Sequence, residues 1–139
     1  MKSAEAIQKK IMTLEQAKSW IAALRVTGKK VSFTNGCFDI IHPGHLFSLQ
    51  QAADQADFLI VGLNSDASVR KLKGPTRPIN STESRALVLA HLVVVDAVVV
   101  FEEETPLELI SALLPDVLVK GGDYTLEQVV GSKIGRAHV

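Results

Sequence analysis

The chain has 139 residues, with 15 Lys and Arg against 15 Asp and Glu, so its formal net charge is zero. This length suits one domain with a sizeable hydrophobic core, and a balanced charge argues against a broad nucleic-acid-binding surface. No apolar run approaches the length of a membrane span, and the single cysteine, Cys37, excludes an intrachain disulfide. We therefore expect a cytoplasmic protein with no nucleic-acid or membrane partner, and we expect Cys37 to be a small buried hydrophobe.

The start of the chain is polar, which predicts a flexible N-terminus over residues 1–12. A helix is predicted to follow, because Thr13 and Gln16 have the spacing of a capping box. Gly28 marks its predicted end. One face of this helix carries regularly spaced apolar residues, namely Leu14, Ala17, Ile21 and Leu24.

Four short segments are predicted to be β-strands, and one of them, Phe58–Gly62, is apolar without alternation, as expected for a strand covered on both faces. Helical patterns separate them, and the clearest helix start is Thr105-Pro106-Leu107-Glu108, with a cap and a proline at the first helical position. This alternation predicts an α/β fold, a Rossmann-like doubly wound parallel sheet with an added N-terminal helix. The predicted strands are Val31–Thr34, Phe58–Gly62, Ala97–Phe101 and Asp116–Val119.

The most informative stretch runs from Phe33 to Leu46, F-T-N-G-C-F-D-I-I-H-P-G-H-L. His42 and His45 flank Pro43-Gly44 where a helix is predicted to begin, and free N–H groups at a helix start favour an anion. Gly44 allows close approach of a phosphate, and imidazoles can donate to oxygens that gain charge during a reaction. The alternative is a pair of surface or capping histidines. A zinc site is disfavoured, because no paired metal-ligand spacing accompanies them.

Residues 70–85 form a strongly basic stretch, with five cations against the one acid Glu83. Its glycine and prolines predict a mobile loop. The carboxyl ends of parallel strands bind ligands, so this loop should meet the loops at 35–45 and 120–124. We interpret the cations as phosphate contacts rather than a solvated loop. No nucleophile triad or P-loop pattern is present, which favours direct phosphoryl or nucleotidyl transfer. The cations are Arg70, Lys71, Lys73, Arg77 and Arg85.

Several separated motifs resemble one family. T-N-G-C-F-D, H-P-G-H, N-S-D-A-S-V-R-K-L-K-G, R-P-I-N, T-P-L-E-L-I and V-K-G-G-D-Y closely resemble the D-glycero-β-D-manno-heptose 1-phosphate adenylyltransferases of the HxGH nucleotidyltransferase superfamily. The resemblance implies transfer of AMP from ATP to a heptose 1-phosphate, giving ADP-heptose for lipopolysaccharide and pyrophosphate. It also implies Mg²⁺ bound mainly through the ATP phosphates, with no protein metal ligand, and a possible homodimer.

The resemblance assigns roles to individual residues. His42 and His45 would stabilise the α-phosphate and the departing pyrophosphate, and Lys73 would act with them from the basic stretch. Nucleotide or phosphate contacts are implied for Thr34, Asn35, Gly36, Phe38, Asp39, Gly44, Lys71, Arg85, Gly121, Gly122 and Asp123.

Two alternatives stay open. One is a cytidylyltransferase acting on glycerol phosphate or a similar alcohol phosphate, although those enzymes tend to carry G-T-F-D where this chain has G-C-F-D. The other is an inactive, truncated nucleotide-binding module. The resemblance ends near Gly131, so we expect the domain to span 13–132 without the family's last strand and helix. We expect 133–139, K-I-G-R-A-H-V, to be a non-native tail, because a common sequencing adapter encodes it in frame.

Overall fold

In the computed structural model, residues 2–120 are described. Five parallel strands form one sheet in the order β1-β4-β3-β2-β5. The strands are β1 (Ile11–Met12), β2 (Val31–Gly36), β3 (Phe58–Asn64), β4 (Ala97–Phe101) and β5 (Val117–Leu118). The helices are α1 (Ala4–Gln8), α2 (Leu14–Val26), α3 (Pro43–Ala53), α4 (Asp66–Lys73), α5 (Thr82–Ala90) and α6 (Leu107–Leu113).

Helices cover both faces of the sheet. Buried residues of α2 and α6, such as Ile21 and Ile110, form one core with the sheet. Buried residues of α3 and α5, such as Leu49 and Leu89, form a second core on the opposite face. The prediction of a doubly wound parallel α/β sheet is confirmed. Within residues 2–120, every helix is too short or too polar to cross a membrane.

The sheet changes its winding direction beside β2. From β2 the chain passes through α3 to the neighbouring β3, whereas it reaches β5, on the other side of β2, only after β4 and α6. At such a change of direction, the carboxyl ends of the two neighbouring strands, here β2 and β5, leave a crevice. Open α/β sheets bind ligands in this crevice. Gly36 at the end of β2 and Lys120 just after β5 therefore border the expected binding position.

The predicted flexible N-terminus needs correction. Ser3 caps α1 by accepting a hydrogen bond from the N–H of Ala6. Ile11 and Met12 pair with Val98 and Val99 as an edge strand, and both are partly buried against the two cores. A mostly polar segment gives little periodic signal, yet pairing of Ile11 and Met12 with β4 attaches it to the sheet.

Several predicted boundaries also shift. The capping box of Thr13 and Gln16 is confirmed. The basic stretch begins on a helix instead of a loop, because Ser65 caps α4 and the helix continues to Lys73. Helix α6 has Pro106 and not Thr105 at its N-cap, without a side-chain cap hydrogen bond. Strands β2 and β3 each extend two residues beyond the prediction, whereas β5 is shorter than predicted.

Three aspartates fasten the amino ends of the strands. Asp57, Asp96 and Asp116 each directly precede a strand. Each carboxylate accepts a 2.8 Å hydrogen bond from a backbone N–H within one residue of the start of a neighbouring strand, at Lys30, Leu59 and Val31 respectively. A buried N–H without an acceptor is costly, so these side chains stabilise the starts of β2 and β3.

We expect Asp96→Ala to destabilise the protein by about 1–3 kcal/mol, because the buried N–H of Leu59 loses its side-chain acceptor. Burial raises the pKa of Asp96 above its ordinary value, so its ionised form weakens the native state as pH rises through that pKa. Asp96→Asn keeps an acceptor without the buried charge and should be at least as stable as the wild type at neutral pH. Urea unfolding at pH 7 measures both variants, and equal midpoints for Asp96→Ala and wild type would contradict the role.

Candidate active site

Two adjacent cavities open at the carboxyl end of the sheet. The larger one, about 510 Å³, is here called the histidine cavity, and its lining includes Thr34, Phe38, His42, His45, Lys73 and Arg77. The smaller one, about 290 Å³, is called the α6 cavity, and its lining includes Phe33, Asn64, Glu104, Thr105, Pro106 and Ile110. The two cavities share Asn35, Gly36, Cys37 and Lys120.

The two imidazoles of the histidine cavity are fixed by the start of α3. Nδ1 of His42 accepts a 3.0 Å hydrogen bond from the N–H of Gly44, and Nδ1 of His45 accepts a 3.2 Å hydrogen bond from the N–H of His42. A neutral imidazole carries one proton, so each ring holds it on Nε2. The ring centroids are 4.1 Å apart. Both rings thus keep an Nε2–H donor for a ligand.

This geometry corrects how the helix start acts on an anion. The sequence predicted free backbone N–H groups there, but the first ones are used within the protein. The N–H of Gly44 donates to the His42 ring, and the N–H groups of His45 and Leu46 donate to the His42 carbonyl. The positive end of the helix therefore acts on a ligand through the imidazoles.

The neutral form of His45 is favoured by its surroundings. Partial burial lowers the pKa of His45 below its ordinary value, and electrostatic repulsion by the neighbouring His42 ring, whenever that ring is protonated, and by the Lys73 ammonium lowers it further. The ring also makes an edge contact with Phe38 at a centroid distance of 5.6 Å. His45 is therefore a neutral hydrogen-bond donor at pH 7.

Two glycines leave room for these rings. A Cβ atom on Gly44 would lie 2.7 Å from Cε1 of His42, and one on Gly36 would lie 2.9 Å from Cε2 of Phe38. Real Cβ contacts are not this short, so any other residue would displace a ring. Phe38 itself has a positive φ of 46°, an uncommon conformation for a non-glycine residue that often marks a functional turn.

Arg85 joins the loops around the site. Its side chain is 1 % exposed, and its five N–H groups all have acceptors at 2.7–3.3 Å. The acceptors are the carbonyl oxygens of Cys37, Asn64 and Asn80, the carboxylate of Asp66 and the hydroxyl of Thr82. Arg85 was predicted to contact phosphate, but in this structure no donor is left for one. The geometry gives it a positioning role.

Asp66 accepts one of the hydrogen bonds that Arg85 donates. Burial by itself would raise the pKa of Asp66, but hydrogen bonds from Arg85 and Thr82 outweigh it and lower the pKa below its ordinary value. The start of α4 is thereby tied to α5 by an ion pair with an N–O distance of 2.9 Å.

Asp39 holds the segment between α4 and α5. Its carboxylate accepts from Nη1 of Arg77 at 3.1 Å and from the N–H groups of Ile79 and Asn80 at 2.8 Å. Burial tends to raise the pKa of Asp39, and these hydrogen bonds lower it to below its ordinary value. The nucleotide contact predicted for Asp39 stays a prediction, because both carboxylate oxygens already accept bonds within the protein.

The structure gathers most of the predicted residues. Lys73 lies in the histidine cavity with both histidines, whereas Lys71 is exposed on α4 and lines neither cavity. The predicted residues Gly121, Gly122 and Asp123 and the 133–139 tail lie outside the described residues.

Three residues of the site were missed or misjudged in the sequence. Cys37 is half-buried and lines both cavities, rather than being a fully buried hydrophobe. Lys120 borders both cavities, and burial lowers its pKa while the nearby Cys37 opposes this. Asn64 ends β3 inside the α6 cavity. Their position in the sequence could have identified them, because each one follows or ends a buried strand at the ligand-binding edge of the sheet.

Comparison with known proteins matches residues 33–134 to the family described as cytidylyltransferase-like. The chain is 61% identical over 125 residues to the bifunctional protein HldE of Caulobacter vibrioides, covering 90% of this chain and 26% of that protein. It is 64% identical over 118 residues to the bifunctional protein HldE of Wolinella succinogenes, covering 85% and 24%. The chain thus spans about a quarter of the length of these relatives.

Solved structures share the fold. A lipopolysaccharide core biosynthesis protein from Thermoplasma volcanium superposes with a TM-score of 0.68 at 25% identity, covering 80% of this chain and 95% of that one. The pantoate-beta-alanine ligase of Francisella tularensis gives a TM-score of 0.56 at 17% identity, covering 78% and 55%. The second likeness concerns the fold only.

We expect the pKa of His45, followed by NMR titration, to lie below its ordinary value of 6.5. Lys73→Met should raise it, because one of the positive charges that disfavour the imidazolium is removed. Since the folded pKa is lowered, His45 should contribute less to stability as pH falls below 6.5. If the titration midpoint of His45 is unchanged in Lys73→Met, the positive charge of Lys73 does not influence this ring.

Proposed function

The chain belongs to the cytidylyltransferase-like family, and from this premise we propose that it transfers AMP from ATP to a heptose 1-phosphate, releasing pyrophosphate. The observation that carries the proposal is the pair of Nε2–H donors placed with Lys73 and Arg77 in one cavity. The choice of acceptor is supported by the motif resemblance and by the high identity to the HldE proteins. The likeness to a lipopolysaccharide core biosynthesis protein agrees with it.

The proposed reaction is a direct displacement at phosphorus. A phosphate oxygen of the sugar phosphate forms a bond to the α-phosphorus of ATP. The bond between that phosphorus and the oxygen bridging to the β-phosphate breaks, and its electron pair leaves with pyrophosphate. No protein nucleophile is required, so the protein acts by positioning the reactants and stabilising charge.

The histidine cavity suits this task. Charge grows on the bridging oxygen and on the α-phosphate oxygens as the bond breaks. Neutral imidazoles donating from Nε2 meet that charge without first releasing a proton, and Lys73 and Arg77 supply positive charge nearby. Arg77 is oriented by its ion pair with Asp39, so it would contact phosphate with the donors that this pair leaves.

Mg²⁺ is expected to enter as the magnesium complex of ATP. Within residues 2–120 no three carboxylate, histidine or cysteine side chains are grouped as a metal site, and the Asp39 carboxylate is already engaged. This donor set fits an ion held mainly by the nucleotide phosphates. When bound, the ion neutralises part of their charge.

The alternative of a cytidylyltransferase acting on glycerol phosphate is less favoured, because the high-identity relatives are HldE proteins. Incubation with ATP or CTP and with heptose 1-phosphate or glycerol 3-phosphate, followed by pyrophosphate release, tests the proposal. We expect release only with ATP and the heptose phosphate. Release with CTP and glycerol 3-phosphate would overturn the assignment, and no release with any pair would favour the inactive module.

Two expectations from the sequence remain predictions. A homodimer is testable by light scattering during size-exclusion chromatography. A cytoplasmic location is testable by fractionation of the source cells.

We expect His42→Ala and His45→Ala each to lower turnover by about 10²–10³, the usual effect of removing one donor to developing charge. His91→Ala is the matched control, because His91 lies at the C-cap of α5 and lines neither cavity. Pyrophosphate release at saturating ATP is the measurement, with circular dichroism to compare folding. Near-normal turnover in either active-site variant would exclude its catalytic role.

A further inference from the structure

We propose that the α6 cavity binds the hydroxyl groups of the acceptor sugar, and that Asn64 and Glu104 determine acceptor specificity. This inference rests on the proposed function. It names the residues that select the acceptor, which the family match leaves unassigned.

The two cavities differ in the chemistry of their linings. The histidine cavity holds two imidazoles, Lys73 and Arg77, which is the donor set that phosphates require. The α6 cavity has an apolar floor that includes Phe33, Ile110 and Leu118. Its polar groups are mainly amides, a hydroxyl and a carboxylate, contributed by Asn35, Asn64, Thr105 and Glu104. A neutral polyhydroxylated group matches such a lining, in which apolar surface carries a few oriented polar groups.

Asn64 is the most constrained of these polar groups. Its side chain is only 3 % exposed. Its Nδ2 donates a 2.9 Å hydrogen bond to Oγ of Ser68, and that hydroxyl donates a 2.7 Å bond to the carbonyl of Glu103. The amide orientation is therefore fixed. Among the described residues, no group donates a hydrogen bond to Oδ1 of Asn64, so this oxygen is left to accept one from a ligand.

Glu104 complements Asn64. It is exposed at the mouth of the same cavity, just before α6. A carboxylate accepts hydrogen bonds and repels phosphate, so Glu104 favours the hydroxyl end of a sugar phosphate over its anionic end. A fixed amide oxygen and a carboxylate together form a set of acceptors, which suits sugar hydroxyls better than a nucleobase edge that mixes donors and acceptors.

The connection between the cavities gives the orientation. Gly36 and Cys37 form their common wall, and Lys120 borders both. A sugar in the α6 cavity can therefore extend its phosphate across this wall toward the α-phosphorus of ATP in the histidine cavity. Attack from that side would leave pyrophosphate on the side of the histidines, as an in-line displacement requires.

The experiment compares Asn64→Ala and Glu104→Gln with the matched control Glu103→Gln. Glu103 is the neighbouring exposed carboxylate, it undergoes the same chemical change, and its side chain does not line the α6 cavity. We expect KM for heptose 1-phosphate to rise about tenfold in Asn64→Ala and a few-fold in Glu104→Gln, with KM for ATP within about twofold of wild type. Glu103→Gln should match the wild type for both substrates.

A second arm uses monodeoxy analogues of the heptose phosphate. The analogue lacking the hydroxyl bound by Asn64 should have a raised KM with wild type and no further increase with Asn64→Ala, because the two changes remove one interaction. The exposed position of Glu104 keeps the test decisive if Asn64→Ala folds poorly.

The outcomes separate the two proposals. No turnover of heptose 1-phosphate by the wild type would overturn the proposed function. Turnover with an unchanged acceptor KM in both variants would overturn only the role of the α6 cavity. A rise in KM for ATP instead would assign this cavity to the nucleoside and refute the inference.

Discussion

The geometry of the ligand-binding edge depends on one buried guanidinium. Segments beyond the ends of parallel strands lack the regular backbone hydrogen bonds of the sheet. Three segments of the chain, at Cys37, Asn64 and Asn80, converge here on one side chain. Arg85 gives five donors to the carbonyls of Cys37, Asn64 and Asn80 and to Asp66 and Thr82. A buried charge is tolerated only when it is fully hydrogen-bonded, so these loops occupy positions that satisfy it. Removing the side chain would take one donor from each of three carbonyls, one carboxylate and one hydroxyl.

The second constraint is the start of α3, where an imidazole replaces the usual capping hydroxyl or carboxylate. His42 accepts the N–H that a helix start leaves without a partner, and this fixes its proton on Nε2. A bond donated into Nδ1 also polarises the ring, which strengthens Nε2–H as a donor. The partial positive charge of the helix end thus extends to the ligand through the ring. Gly44 is needed for this arrangement, since a Cβ would meet the ring at 2.7 Å.

The sequence was sufficient to predict the layered architecture and the histidine pair, because both depend on local patterns. Apolar segments between helical patterns predict a buried parallel sheet, and two histidines around Pro43-Gly44 predict an anion site. The role of Arg85 could not be predicted in this way. Its partners lie up to 48 residues away in the chain. In the sequence alone, a buried structural cation within a basic stretch also looks the same as an exposed cation that binds phosphate. Asn64 was missed for a related reason, because it reads as a turn residue until β3 is seen to extend to it.

The division between the cavities explains how a chain of zero net charge can act on two highly charged substrates. Positive charge is concentrated where phosphates must be held, at the end of α4 and in the segment after it, where Lys73 and Arg77 line the same cavity as the two neutral imidazoles. The cavity on the other side of Gly36 and Cys37 is bordered by Glu104 and carries little positive charge besides Lys120, which lies at the junction of the two. A sugar phosphate experiences opposite preferences at its two ends, which orients it before reaction. Orientation of this kind lowers the barrier to a displacement that has no covalent intermediate.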